Sequence, residues 1–335
     1  MPVRVSINGF GRIGRLVLRA LFESGRTDIE IVAINDLADA KTNAHLLKYD
    51  SVHGRFSGEV AIDGNDLIIN GKRVKGLQIG DPTKLGWGDH GIDVAMECSG
   101  RFTARADAEK HLQAGAKKVL ISAPATDEDL TVVYGVNHGD LKASHTVVSN
   151  ASCTTNCLAP VAFALQNAIG IEHGFMTTIH SYTGDQRVVD TMHSDMHRAR
   201  AAAINMIPTS TGAAKAIGKV IPALKGKLDG SSIRVPTPNV SVVDFKFVAK
   251  RSTTVDEINR AVQAAADGQL KGILGTYDEP LVSTDFNGDT RSSIFALNET
   301  KVIDGTFVRV LSWYDNEWGF SNRMSDTAVA MMKAK

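Results

Sequence analysis

Apolar and polar residues alternate through Val3, Val5 and Ile7, and this period of two predicts a strand at the start of the chain. A helical pattern follows over 15–23 and stops near Gly25. Apolar residues over 29–34 predict a second strand that ends at Asn35 and Asp36. Short apolar runs over 93–97, 118–122 and 146–149 predict further strands, with a helix over 105–114 closed by Gly115. Strands alternating with helices predict a parallel sheet.

After position 150 the rhythm changes. A helix is predicted over 158–169, and alternation over 177–183 predicts a strand with His180 near its end. Helices over 213–220 and 255–266 punctuate strands over 241–250 and 308–314, and an Ala-rich helix over 317–335 ends the chain. Strands with few crossover helices point to an antiparallel or mixed sheet. A length of 335 residues fits about two domains, at roughly 150 residues each.

Composition narrows the function classes. The chain has 37 Lys and Arg against 37 Asp and Glu, so no overall basic excess calls for nucleic acid. No apolar run reaches the roughly 18 residues of a membrane span. The opening residues are too interrupted for the apolar core of a secretory signal, which sets a cytoplasmic expectation. Three cysteines, Cys98, Cys153 and Cys157, do not make a secreted disulfide framework. No compact ligand cluster accompanies them, so no metal is expected.

Candidate chemistry begins at Gly9, Gly11 and Gly14. They lie between the first strand and the first helix, and Asp36 follows at the end of the second strand. Glycine triplets also occur by chance in loops, but here the context on both sides is that of a dinucleotide-binding unit. Gly9 permits the turn, Gly11 leaves room for a pyrophosphate, and Gly14 lets helix and strand approach. The helix start offers free N–H groups to phosphates. Asp36 would accept from ribose hydroxyls and repel a 2′-phosphate, which favours NAD. Ser99, Gly100 and Ser122 follow later strands and are either cofactor neighbours or ordinary loop residues.

Cys153 stands at or near the start of the helix that follows Asn150, where the dipole favours thiolate and lowers the pKa. Ser152 or Thr154 could cap that helix, and Cys157, one turn further in, reads as a packing residue. A nucleophilic thiol needs a base. The chain has 10 histidines, and spacing alone does not select among them. Arg198, Arg234 and the helix start after Thr209-Ser210-Thr211-Gly212 are anion-binding candidates, although most arginines serve surface ion pairs.

Asn8-Gly9-Phe10-Gly11-Arg12-Ile13-Gly14, Ala151-Ser152-Cys153-Thr154-Thr155-Asn156-Cys157, His180-Ser181-Tyr182-Thr183, Arg234-Val235-Pro236-Thr237-Pro238-Asn239 and Trp313-Tyr314-Asp315-Asn316-Glu317 occur in order. Together they resemble the phosphorylating glyceraldehyde-3-phosphate dehydrogenases over essentially the whole chain. The resemblance implies an α/β N-terminal Rossmann dinucleotide-binding domain over 1–152, on which the C-terminal helix over 316–335 packs back. It implies a second, α+β catalytic domain over 153–315 on a mixed, mainly antiparallel sheet. Cys153 matches the nucleophile and His180 its base. Gly9, Gly11, Arg12, Ile13, Gly14, Asp36, Ser122 and Asn316 match the NAD site. Thr183, Asp185 and Arg234 match the site for the substrate's phosphate. Ser152, Thr154, Arg198, Thr211 and Gly212 match the site for inorganic phosphate. The implied reaction oxidises D-glyceraldehyde 3-phosphate to 1,3-bisphosphoglycerate through a hemithioacetal and a thioester, in glycolysis or gluconeogenesis, by a homotetramer. Gly80 replaces a common Arg near the adenine, and Thr191-Met192 replaces a common Leu-Pro.

Three rivals were weighed. A relative oxidising erythrose 4-phosphate and releasing the acid by hydrolysis shares the spacing. A binding protein without chemistry would not need both Cys153 and His180. A cysteine peptidase leaves the dinucleotide motif unexplained.

Overall fold

Val3–Asn8 forms the central strand of a nine-stranded sheet in a computed structural model that describes residues 1–335. On one side lie Ile29–Asn35 and then Lys72–Leu77; on the other lie Val94–Glu97, Lys118–Ile121, Val147–Ser149 and Leu130–Thr131, all parallel. The strand order therefore reverses beside Val3–Asn8. Open α/β sheets bind ligands in the crevice at such a point. Register there matters: Asn8 is paired with Asn35 on one neighbour and with Glu97 on the other.

The chain divides into two units. The first holds residues 1–134, 138–152 and 321–335; the second holds 135–137 and 153–320. The return to the first unit falls at Ser321, inside the helix Trp318–Lys333, not at residue 316. Within the first unit this helix is held by its own side chains and backbone. Thr327 donates to Asn150 at 2.7 Å, Arg26 pairs with Asp326 at 2.6 Å, and Lys118 donates to the Met331 carbonyl at 2.9 Å.

The second unit is built on a mixed sheet in the order Ile207–Ser210, Leu228–Val235, Ile171–Ser181, Ser241–Ala249, Phe307–Tyr314, Ser293–Ala296, Leu274–Tyr277. Most neighbours are antiparallel, but Ser293–Ala296 and Leu274–Tyr277 run parallel, and so do Ile171–Ser181 and Leu228–Val235, with Ala213–Val220 in the crossover. The second parallel pair sets His180 beside Arg234 in register. No helix is long and apolar enough to cross a membrane.

The predicted helix over 105–114 is two short helices, Arg105–Ala108 and Lys110–Gln113, because Glu109 at ψ −17° tightens the turn between them. The edge strands Val60–Asp63, Asp66–Ile69 and Lys72–Leu77 escaped the pattern reading. Their turns carry Gly64 and Gly71 at positive φ, and Asn70-Gly71 is a hairpin signal.

Candidate active site

In the first unit a cleft of about 300 Å³ opens at the strand ends, lined among others by Gly9, Gly11, Asp36, Leu37, Gly80 and Ser99. Gly9 sits at φ +90°, and a Cβ on it would come within 2.5 Å of the Ser99 amide nitrogen, so only glycine fits. A Cβ on Gly14 would lie 2.2 Å from the Gly9 carbonyl oxygen, which accounts for the close helix–strand approach. Gly11 faces open space and caps the helix Arg12–Ser24, whose first turn holds no acidic residue. An anion is therefore free to reach that helix start. Asp36 accepts from the Phe10 amide at 2.7 Å and from the Ala38 amide at 2.9 Å. This fixes the carboxylate at the cleft and leaves lone pairs for a diol. The arrangement fits a dinucleotide with an unphosphorylated ribose.

Other expected cofactor residues are used differently. The Arg12 guanidinium donates to Asp50 at 2.7 Å, an ion pair that holds it beside the helix start. Ser122 bonds to the Cys98 thiol, and its amide donates to the Glu97 carbonyl at 2.9 Å. Asn316 lies buried in the second unit and accepts at its carbonyl from Ser181 at 2.9 Å and from Ser241 at 2.8 Å. Its amide NH2 is thereby turned into the donor end.

In the second unit Cys153 begins the helix Cys153–Ala168, and its Sγ lies 3.5 Å from His180 Nε2. His180 Nδ1 lies 2.7 Å from the Ser181 carbonyl; in the tautomer that donates its Nδ1 proton there, the Nε2 lone pair faces the thiol. Arg234 Nη1 lies 2.7 Å from Nδ1 and donates to the same carbonyl at 3.1 Å. Burial, then the Arg234 charge, push the imidazole down to about 3, so the ring is neutral at neutral pH. Desolvation pushes the Cys153 thiol up, against the pull of Arg234. The direction is opposite to the lowering expected at a helix start: loss of hydration outweighs the Arg234 charge and the Thr154 hydrogen bonds. The resting pair is neutral thiol and neutral base.

The side chains expected to bind anions lie in the same unit as this pair. Arg198 donates to Asp185 at 2.6 Å and to Thr209 at 3.0 Å. Asp185 therefore holds Arg198 rather than offering itself to a phosphate, which a carboxylate would repel. Thr183 bonds to Gln186 through its amide at 2.8 Å. The Thr211 hydroxyl accepts from the Ala213 amide at 3.2 Å, and Gly212 stands at the cap of Ala213–Val220 with no side-chain cap bond. The free amides of that helix start are open to an anion. Thr154 departs from expectation. Its hydroxyl is buried and shares a 2.9 Å hydrogen bond with the Tyr314 hydroxyl, which bonds Thr178 in turn at 2.9 Å. The Thr154 hydroxyl is thus turned to Tyr314. Ser152 precedes Cys153 in the loop where Ala151 is held at φ +57°. Such a conformation costs on the order of 1 kcal/mol for a residue with a Cβ.

Sequence reasoning missed Tyr314 as a site residue. Its ring meets His180 edge to face at 5.9 Å, and its hydroxyl ties the Cys153 helix to the His180 strand. Its signals were alternation at the end of a strand and its place in the Trp313-Tyr314-Asp315-Asn316-Glu317 segment. Cys157 packs as expected. It donates to the Ser312 carbonyl at 3.6 Å, and burial pushes its thiol up to about 12.

A glycine-loop α/β unit and a unit carrying a thiol, an imidazole and two guanidinium groups define a class: dinucleotide-dependent oxidoreductases that work through a cysteine. Residues 3–105 match the NAD-binding domain of glyceraldehyde 3-phosphate dehydrogenase, and residues 152–316 match the C-terminal domain of that enzyme. The chain is 66% identical over 333 residues to the glyceraldehyde-3-phosphate dehydrogenase of Xanthobacter flavus, covering 99% of each chain. It is 65% identical to the enzyme of Cereibacter sphaeroides, again over 99% of each, and 59% identical to that of Geobacillus stearothermophilus over 98% of each. The chain belongs to the glyceraldehyde-3-phosphate dehydrogenase family.

Proposed function

We propose that this protein carries out the NAD-dependent oxidative phosphorylation of D-glyceraldehyde 3-phosphate to 1,3-bisphosphoglycerate, with Cys153 as nucleophile and His180 as base. The observation that carries this reading is the 3.5 Å approach of the Cys153 sulfur to a neutral His180 nitrogen, with Arg234 against the far side of the ring.

The electrostatics suggest how the pair is switched on. Burial first, then the Arg234 and Arg198 charges, hold His180 unprotonated in the resting protein. A substrate phosphate settling on Arg234 and Thr183 cancels part of that field, so His180 regains basicity when substrate is present. His180 then takes the thiol proton, the Cys153 sulfur attacks the aldehyde carbon, and His180 returns that proton to the carbonyl oxygen to give a hemithioacetal. His180 holds the hydroxyl proton as the carbon gives up its hydrogen with both electrons, leaving a thioester on Cys153. NAD, held by the amides at the Gly11 helix start and by Asp36, would supply the oxidant when bound. Inorganic phosphate, gathered by Arg198, Thr211 and the Gly212 amide, attacks the thioester carbon. The acyl phosphate leaves, and the sulfur is returned to its starting state.

We assign dinucleotide binding to the unit of residues 1–134, 138–152 and 321–335, and catalysis to the unit of residues 135–137 and 153–320. We further propose a homotetramer working in the cytoplasm. The 182–206 segment supports association: Val188, Met192, Met196 and Ile204 are each at least 80% exposed there. A monomer by sedimentation would remove that part. The test of the reaction is NADH formation from glyceraldehyde 3-phosphate with and without inorganic phosphate. Turnover that stops without phosphate supports phosphorolysis. Equal turnover without phosphate points to acid release, as in an erythrose-4-phosphate dehydrogenase.

A further inference from the structure

Beneath the dinucleotide cleft lies a polar network that the reaction does not use. Glu97 and His111 are fully buried. Glu97 Oε2 accepts from Asn8 at 2.6 Å and faces His111 Nε2 at 3.0 Å. Its Oε1 accepts from the Ser99 amide at 2.7 Å and from the Ser99 hydroxyl. Asn8, in turn, accepts from Asn35 at 2.7 Å, and Asn35 exchanges two hydrogen bonds with the Ile79 backbone, both of 2.9 Å.

The direction of every bond is settled from the two ends. An indole N–H only donates, and Trp87 Nε1 points at His111 Nδ1 at 3.0 Å. His111 Nδ1 is therefore an acceptor, its proton is on Nε2, and the ring is neutral. At the other end the Ile79 amide only donates, so Asn35 presents its carbonyl there and its NH2 to Asn8. Asn8 must then give its own NH2 to Glu97. All four partners of Glu97 are donors, which only the carboxylate form satisfies. Asn8, Asn35, Ile79 and Ser99 all line the cleft, and they come from four separate segments.

We propose that Glu97 is a positioning residue for the dinucleotide: one buried carboxylate that fixes the Asn8 and Ser99 edges of the cleft, with Trp87 and His111 fixing its polarity. The proposal rests on the reading that this cleft binds NAD. Glutamine has the same shape but must aim an NH2 at either Ser99 or the Asn8 and His111 pair, so no orientation keeps all four bonds. A glutamine at 111, by contrast, can present a carbonyl to Trp87 and an NH2 to Glu97.

The test is calorimetric titration of the full-length protein with NAD, together with kcat and both KM values. Glu97→Gln is expected to raise the NAD Kd by about 10-fold or more, the cost of one buried unsatisfied group, while the KM for aldehyde moves by less than about 3-fold. His111→Leu should follow Glu97→Gln, and His111→Gln should restore NAD binding to within about 3-fold of the wild type. If Glu97→Gln does not fold, the His111 pair and imidazole 15N shifts of the wild type still decide: a neutral Nε2–H form of His111 supports the wiring. Wild-type affinity in Glu97→Gln, equal affinity in the two His111 variants, or a proton on Nδ1 would each overturn the proposal. A wild-type protein that does not bind NAD would instead sink the cofactor reading.

Discussion

The two units handle buried charge in opposite ways. The dinucleotide unit buries a carboxylate, Glu97, and surrounds it with four neutral donors; the thiol unit sets a guanidinium, Arg234, against an imidazole that it keeps neutral. In the first unit the charge is fully satisfied, so it holds a shape. In the second the charge leaves His180 and Cys153 poised away from their ionised forms, so it waits for a counter-charge. The difference teaches that a buried ion is structural when its hydrogen bonds are complete, and becomes a switch when a ligand must complete them.

If the comparison holds, substitutions in the thiol unit change turnover, and those in the dinucleotide unit change cofactor affinity. The largest effect is expected from Cys153→Ser, which should cut kcat by more than about 10⁴-fold while NAD binding stays near wild type. Unchanged dehydrogenase turnover would remove the nucleophile assignment. His180→Asn should lower kcat by about 10²–10⁴-fold, because it removes the base and leaves the sulfur in place. Arg234→Lys keeps the charge but loses the planar fork, and the KM for aldehyde should rise by about 10- to 100-fold. An equal rise in the KM for NAD would blur the division between the units. Asp36→Asn should weaken NAD by about 10-fold and narrow its advantage over NADP, with kcat nearly constant. Direct titration with both cofactors measures this.

The smallest effect concerns pH. A histidine takes up a proton near pH 6.5 when unfolded, but folded His180 resists until about pH 3. Between those values the unfolded chain binds more protons. His180 therefore costs no stability above about pH 6.5 and subtracts increasingly as pH falls toward 3. Denaturant melts of wild type and His180→Asn should converge or cross as pH drops from 7 to 5. A wild type that gains stability relative to the variant on acidification would contradict the sign.

Much of this was legible in the chain. The strand, glycine loop, helix, strand and Asp36 are contiguous, so local pattern and backbone geometry suffice to read them. Cys153 could be placed at a helix start for the same reason. The failures share a cause as well. Thr154 looked like an anion ligand until its hydroxyl was found on Tyr314, 160 positions away in the chain. Asp185 looked like a phosphate neighbour until it was found holding Arg198. The thiol's upward shift depends on burial, which no local spacing reveals.

The sequence by itself determined most of the elements around the site, where glycine is obligatory in the first loop, and which family of chemistry the motifs serve, because those properties depend largely on neighbours within about one helix or strand. The tertiary structure alone decided the partners. The parallel pairing of Ile171–Ser181 with Leu228–Val235 brings Arg234 to His180, and the register of three strand ends brings Asn35, Asn8 and Glu97 into one line. Charge state follows from such contacts, since desolvation and facing charges act through space and not along the chain.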